Sequence, residues 1–189
     1  MTDMQEGELR WWRAHLKTPA DRDRLMAIFG FRYLPFFFEE FNNLGAVADF
    51  GSGPISAARL AEKRGHTWLV DPLGDRYMQL GLAPDPILTT PKDIPAGSCD
   101  TVLCLNTLDH TLTPGALLGE IAHVLKPGGK LLLWVHLLEE PDGLHVRLTW
   151  QEVDDAVRGA GLTRLWTLVT RMGYNHDLGP PACVGAFRK

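Results

Sequence analysis

The stretch Val47-Ala48-Asp49-Phe50-Gly51-Ser52-Gly53-Pro54-Ile55 reads as a buried strand running into a glycine turn and then a helix. Glycine lets the backbone turn sharply there and lets a ligand approach without meeting a Cβ. Asp71 follows 22 residues after Asp49, at the end of the next apolar run, residues 66–70. An ionised Asp offers only acceptors, so at that place it can take two hydrogen bonds from a ribose diol. Strand, glycine turn, helix, strand and acid together point to a nucleoside-containing ligand. A dinucleotide site wants a third small residue packed under the pyrophosphate, whereas here Ser56 holds the sixth position behind Pro54 and Ile55. Pro54 also removes a backbone N–H from any phosphate cradle. Asp49 suits a cofactor with a cationic amino group better than a pyrophosphate.

Outward from this unit, short apolar runs alternate with helical segments. Strands are expected at 46–50, 66–70, 100–105 and 130–136, with helices at 55–65 and 113–129. Thr113 suits the helix N-cap, Pro114 the first helical position, and Pro127-Gly128-Gly129 the stop. Thr149 and Glu152 have capping-box spacing and open a helix to about Gly159. Residues 162–170 and 182–188 read as a closing pair of strands. The alternation predicts parallel βαβ units with right-handed crossovers in an α/β layered domain.

Residues 1–44 differ in character. They hold more than half of the aromatic side chains, Trp11, Trp12, Phe29, Phe31, Tyr33, Phe36, Phe37, Phe38 and Phe41. Helical spacing is visible in Leu9, Trp12 and Leu16, and again in Leu25, Ile28 and Phe29. Asp21 after Pro19 is the expected start of a second helix and Gly30 its stop, with a third helix over 33–44 despite Pro35. The expected organisation is a helical cap, residues 1–44, on a cofactor domain, residues 45–189.

Composition sets the outer bounds. A chain of 189 residues with 45% hydrophobic and 22% charged side chains can bury a real core. Its net charge of −4 lacks the basic footprint of a nucleic-acid binder. The charged N-terminus has no secretory core, and runs such as residues 131–135 are far shorter than the roughly 20 residues of a membrane-spanning helix. Cys99, Cys104 and Cys183 form no paired framework and read as buried free thiols, so a cytoplasmic protein without a membrane span is expected. No His, Cys or carboxylate cluster at metal-ligand spacing emerges, and no metal is expected.

With these residues in hand, the chain resembles the class I S-adenosylmethionine-dependent methyltransferases of the type 11 kind over about residues 45–189. Asp49-Phe50-Gly51-Ser52-Gly53-Pro54 is similar to that family's first motif, D/E-x-G-x-G, and Asp71 to its ribose-binding acid. Ser98–Asn106 resembles the strand leading to the cofactor, Leu108-Asp109-His110-Thr111 with Pro114 the turn after it, and His123–Gly129 the motif closing the next helix. Val70–Tyr77 and Asn106–His110 further resemble bacterial enzymes of sugar or surface-polysaccharide modification. The resemblance implies a Rossmann-like, doubly wound, mostly parallel sheet with helices on both faces. It implies S-adenosylmethionine as cofactor, held by Asp49, Gly51, Ser52, Gly53, Asp71, Pro72 and Asn106. Thr90 stands where the family often has an acid that reads adenine.

The implied reaction is in-line methyl transfer to a small-molecule or sugar-linked acceptor. A hydroxyl acceptor gains from a general base. The candidate catalytic bases are histidines on loops past strand ends, where open α/β sheets bind ligands. These are His110, His136 and His145, with His176 in the last loop. Each also has a plainer reading as a boundary histidine bonded to backbone. Asp109 reads as a cap or as an orienter of His110, and Asp100 as structural. Trp11, Trp12 and Phe36–Phe38 read as the packing face of the cap or as an aromatic floor for the acceptor. Two alternatives stay open, a catalytically silent cofactor-binding module and a nicotinamide-dependent oxidoreductase.

Overall fold

The computed structural model describes residues 2–171 and 181–189. Two helices lead, α1 (Asp3–His15) and α2 (Pro19–Asn42), followed by β1 (Val47–Phe50), β2 (Thr67–Val70), α3 (Gly74–Gln79), β3 (Cys99–Leu105), α4 (Pro114–Val124), β4 (Leu125–His136), α5 (Trp150–Gly159), β5 (Thr163–Arg171) and β6 (Pro181–Arg188). The six strands form one sheet in the order β2-β1-β3-β4-β6-β5. The first four run parallel, and β6 pairs antiparallel with both β4 and β5. This is the expected Rossmann-like, mostly parallel sheet with helices on both faces.

Side-chain parity explains why the central strands are continuous apolar runs. Leu103, Leu105, Leu132, Trp134 and Val184 join one core with Leu9, Trp12, Phe29, Tyr33 and Phe41 of the leading helices. Their neighbours Val102, Cys104, Leu131, Leu133 and Val135 face the opposite way, into a second core with Leu118, Ile121, Val153 and Val157 of α4 and α5. All three cysteines are free and buried, as read. Among the described residues no helix is long and apolar enough to cross a membrane.

Register sets the site. Phe50 lies opposite Val70 and Cys104, and Leu105 lies opposite Trp134. The residues that follow, Gly51, Asp71 and Asn106, with His136 at the end of β4, therefore gather on the carboxyl edge of the sheet.

Four expected elements differ. The helix over 55–65 is only a 3₁₀ turn, Ala57–Leu60. The Ser56 hydroxyl accepts the Ala58 N–H, and beyond the turn Lys63 and Gly65 pair with backbone at Asn42 and Gly45. That pairing draws residues 61–65 into extended chain and overrides their helical propensity. The second helix starts at Pro19, not Asp21. Thr18 is its N-cap, and Asp21 is the third-position partner of a capping box. It also runs through Gly30 to Asn42, because Leu25, Phe29, Tyr33, Phe37 and Phe41 form one buried stripe at four-residue spacing. A kink at Phe37, where the backbone is non-helical (φ −115°, ψ 16°), lies two residues past Pro35 and divides this run into two helical stretches. Finally, α4 ends at Val124 rather than at the Pro-Gly-Gly segment, and Leu125 already pairs with Cys99 across an irregular step in β4. The capping box of Thr149 and Glu152 opens α5 as read.

Candidate active site

A cavity of about 360 Å³ opens at the carboxyl edge of the sheet. Asp49, Gly51, Ser52 and Asn106 line its floor, and His110, His136 and His145 line one end. Trp11, Trp12, Phe29 and Tyr33 from α1 and α2 form the roof. The leading helices thus supply a wall, and of Trp11, Trp12 and Phe36–Phe38 only the two tryptophans reach it. Phe37 is buried against Phe41 and Trp166, whereas Phe38 is exposed to solvent.

The glycine turn is built as its sequence demands. Gly51 and Gly53 both have left-handed backbone, with φ of 70° and 56°. A Cβ on Gly53 would lie 2.7 Å from the Trp12 ring. Asp49 is only 2% exposed, accepts a 2.6 Å hydrogen bond from the Ser56 hydroxyl, and is raised by burial to about 6. Asn106 is the one described non-glycine residue with positive φ, 57°, and its buried Oδ1 has no partner. Such a conformation is held by its surroundings and is common at functional sites.

Asp71, Pro72 and Gly53 stand beside this cavity rather than on its lining. The Asp71 carboxylate accepts the backbone N–H groups of Gly53 (3.0 Å) and Leu73 (2.8 Å). It is 3% exposed, and burial followed by the facing Glu8 carboxylate raises it to about 7. Glu8 Oε1 accepts hydrogen bonds from Tyr77 Oη and Trp12 Nε1, each 3.3 Å. One helix therefore seats an indole on the glycine turn and an acid opposite Asp71. Sequence reading missed Glu8, since nothing in the 1–16 pattern says which neighbour its polar face meets.

At the other end, Asp109 is not a cap. It is fully buried, and its Oδ2 lies 3.1 Å from His136 Nδ1. His145 Nδ1 is held by Asp142 at 2.8 Å, a partner that sequence reading also missed. The rings of His110 and His145 lie 4.5 Å apart, and those of His136 and His145 5.2 Å apart. Burial lowers His110 below the ordinary imidazole value, against the attraction of Asp109. The structure thus gathers His110, His136 and His145 around one carboxylate. His176 lies outside the described residues. Asp100 sits at the opposite edge of the sheet, accepting the Ala46 N–H and Lys126 Nζ, as a structural acid should.

Residues 48–133 match the family model described as a methyltransferase domain. That match covers somewhat under half of the chain, from β1 and the glycine turn into β4.

Among particular relatives, the chain is 36% identical to the thiol S-methyltransferase TMT1B of Rattus norvegicus over 80 residues, which are 39% of this chain and 31% of that protein. The match thus spans under a third of that relative's length. The 1,6-didemethyltoxoflavin-N1-methyltransferase of Burkholderia thailandensis, solved with 1,6-didemethyltoxoflavin and S-adenosylhomocysteine, superposes with a TM-score of 0.64. That likeness covers 98% of this chain and 88% of that one at 17% identity. An S-adenosylmethionine-dependent methyltransferase of Mesorhizobium loti gives 0.64 over 85% and 98% at 14% identity. These two likenesses are likenesses of fold.

Proposed function

We propose that the protein transfers a methyl group from S-adenosylmethionine to a small-molecule acceptor held under the aromatic roof. The observation that carries this reading is the single cavity joining the glycine turn, with Asp49, Gly51, Ser52 and Asn106, to the His136–Asp109 pair. The residues present fit the cofactor. Asn106 Oδ1 and Asp49 offer acceptors for an ammonium group, and each Asp71 oxygen keeps a lone pair beyond its backbone bond. Asp49, Gly51, Ser52 and Asn106 would hold the amino-acid end, and Gly53, Asp71 and Pro72 the ribose end. Residues 1–44 act as the cap that closes the cavity over the core of residues 45–189.

When bound, S-adenosylmethionine supplies an electrophilic methyl group to a nucleophile aligned with its S–C bond. The chain's part is positioning, an effect that supplies roughly 7–11 kcal/mol when alignment is good. Trp11, Trp12, Phe29 and Tyr33 clamp a flat or ring-bearing acceptor and exclude water. Asp109 holds His136 by its Nδ1, leaving Nε2 to take the acceptor's proton. A sugar-linked acceptor is supported by the resemblance of Val70–Tyr77 and Asn106–His110, and a thiol by the name of the partial relative.

The test is methyl transfer from labelled S-adenosylmethionine to a panel of thiols, sugar hydroxyls and aromatic hydroxyls, read by mass spectrometry. A methylated product is expected, and His136→Ala lowers its rate by about 10²–10⁴-fold for a hydroxyl acceptor. Stabilisation by NADH but not by S-adenosylhomocysteine would overturn the methyltransferase reading. Tight S-adenosylhomocysteine binding with no transfer to any acceptor would make the chain a silent binding module instead.

A further inference from the structure

The end of the cavity away from the glycine turn contains polar atoms that hydrogen bonding within the protein leaves unsatisfied. Asp109 is fully buried, yet its Oδ1 has no partner. His110 Nδ1 is also buried without a partner. A buried carboxylate is costly unless a cation neutralises it, and each orphaned polar atom adds its own desolvation penalty. A protonated His136 would answer the charge through Oδ2 but would leave Asp109 Oδ1 and His110 Nδ1 as they are.

His145 supplies the second observation. Its Nδ1 is fixed by both carboxylate oxygens of Asp142, at 2.9 and 2.8 Å, which aims Nε2 inward. Nε2 lies 3.9 Å from Asp109 Oδ2, too far for a hydrogen bond. Ligand atoms about 2.1 Å from a tetrahedral ion lie roughly 3.4 Å from one another. The ligand atoms of Asp109, His110 and His145 all fall within 4.8 Å of one another, so small side-chain rotations close them on one ion. A carboxylate behind a histidine whose other nitrogen faces inward is the usual outer support of a metal ligand.

We propose that Asp109, His110 and His145 bind one divalent first-row transition-metal ion, of the zinc or iron(II) kind, with an open position facing the cavity. Two imidazoles and a carboxylate suit such ions, whereas magnesium and calcium prefer all-oxygen sets. Asp142 positions His145, and His136 holds Asp109 through Oδ2, leaving Oδ1 for the ion. The sequence hides the site because residues 109 and 110 meet residue 145 only through folding, without the short spacing of a recognisable metal motif. The proposal goes beyond methyl transfer and stands whether or not that reading holds.

The experiment is equilibrium dialysis of the chelator-stripped protein against Zn²⁺ and against Co²⁺, with elemental analysis and the visible spectrum of the Co²⁺ form. One ion per chain is expected, with cobalt bands of a low-coordinate nitrogen and oxygen site. The His110→Ala/His145→Ala double variant should lose at least a hundredfold in affinity while keeping its circular dichroism. Asp142→Asn, which removes no ligand, should lose about 10–100-fold. Asp109 is left intact, because removing a fully buried carboxylate that holds His136 would itself disturb the fold. Binding well below one ion per chain, or equal binding by the double variant, would overturn the site.

Discussion

Asp71 sits in a small electrostatic conflict. Its carboxylate is raised to about 7, first by burial and then by Glu8, which α1 brings opposite it. An acid whose folded pKa is raised binds more protons folded than unfolded. Its contribution to stability is thus fully present below the unfolded value near 3.8 and is lost as pH rises through about 7. Glu8→Gln keeps a carbonyl oxygen to accept from Tyr77 and Trp12, yet removes the charge facing Asp71. The variant should therefore be more stable than the parent at pH 8, by on the order of 1 kcal/mol in urea unfolding, with little difference at pH 5. Equal shifts at both pH values would mean that Glu8 does not face an ionised Asp71. Sequence reading singled out Asp71 by its distance from Asp49, a local relation. Glu8 was invisible because its partner is decided by where α1 docks.

Among the elements, α1 and the glycine turn form the least legible contact with the clearest consequence. Strand positions were readable because each central strand is apolar on both faces, and the Thr149–Glu152 box announced α5. The failures share a cause. Residues 55–65 have helical propensity but lose to pairing with residues 42–45, and Gly30 fails to stop α2 because a buried aromatic stripe continues past it. Trp12 against Gly53 is likewise a tertiary fact. Gly53→Ala should cost about 1–3 kcal/mol, from a left-handed backbone and from a Cβ pressed into the indole. In a Trp12→Ala background only the backbone part remains, so the same substitution should cost about 1 kcal/mol less in urea unfolding. An unchanged cost would show that the indole does not rest on the turn.

Across the whole molecule, the family match of residues 48–133 ends where the cavity's distinctive parts begin. Glu8, Trp11, Trp12, Phe29, His136, Asp142 and His145 all lie outside it. The family resemblance was therefore legible in motifs at close spacing, whereas the cavity also draws on residues before and after the matched segment and had no linear signature. The same assembly links cofactor, cap and carboxylate. A ribose diol can donate two hydrogen bonds to Asp71 only when that carboxylate is ionised and its cover by Glu8 has yielded. Near pH 6 the unliganded protein carries a proton on Asp71, so S-adenosylhomocysteine binding must expel it; near pH 8.5 there is little to expel. Calorimetric titrations in buffers of different ionisation enthalpy should therefore report release of close to one proton at pH 6 and almost none at pH 8.5. Affinity should rise with pH across that interval, and Glu8→Gln should shrink both effects by lowering the Asp71 value in the free protein. A binding enthalpy independent of buffer at pH 6 would separate the ribose from Asp71 and leave the carboxylate a role in seating α1 alone.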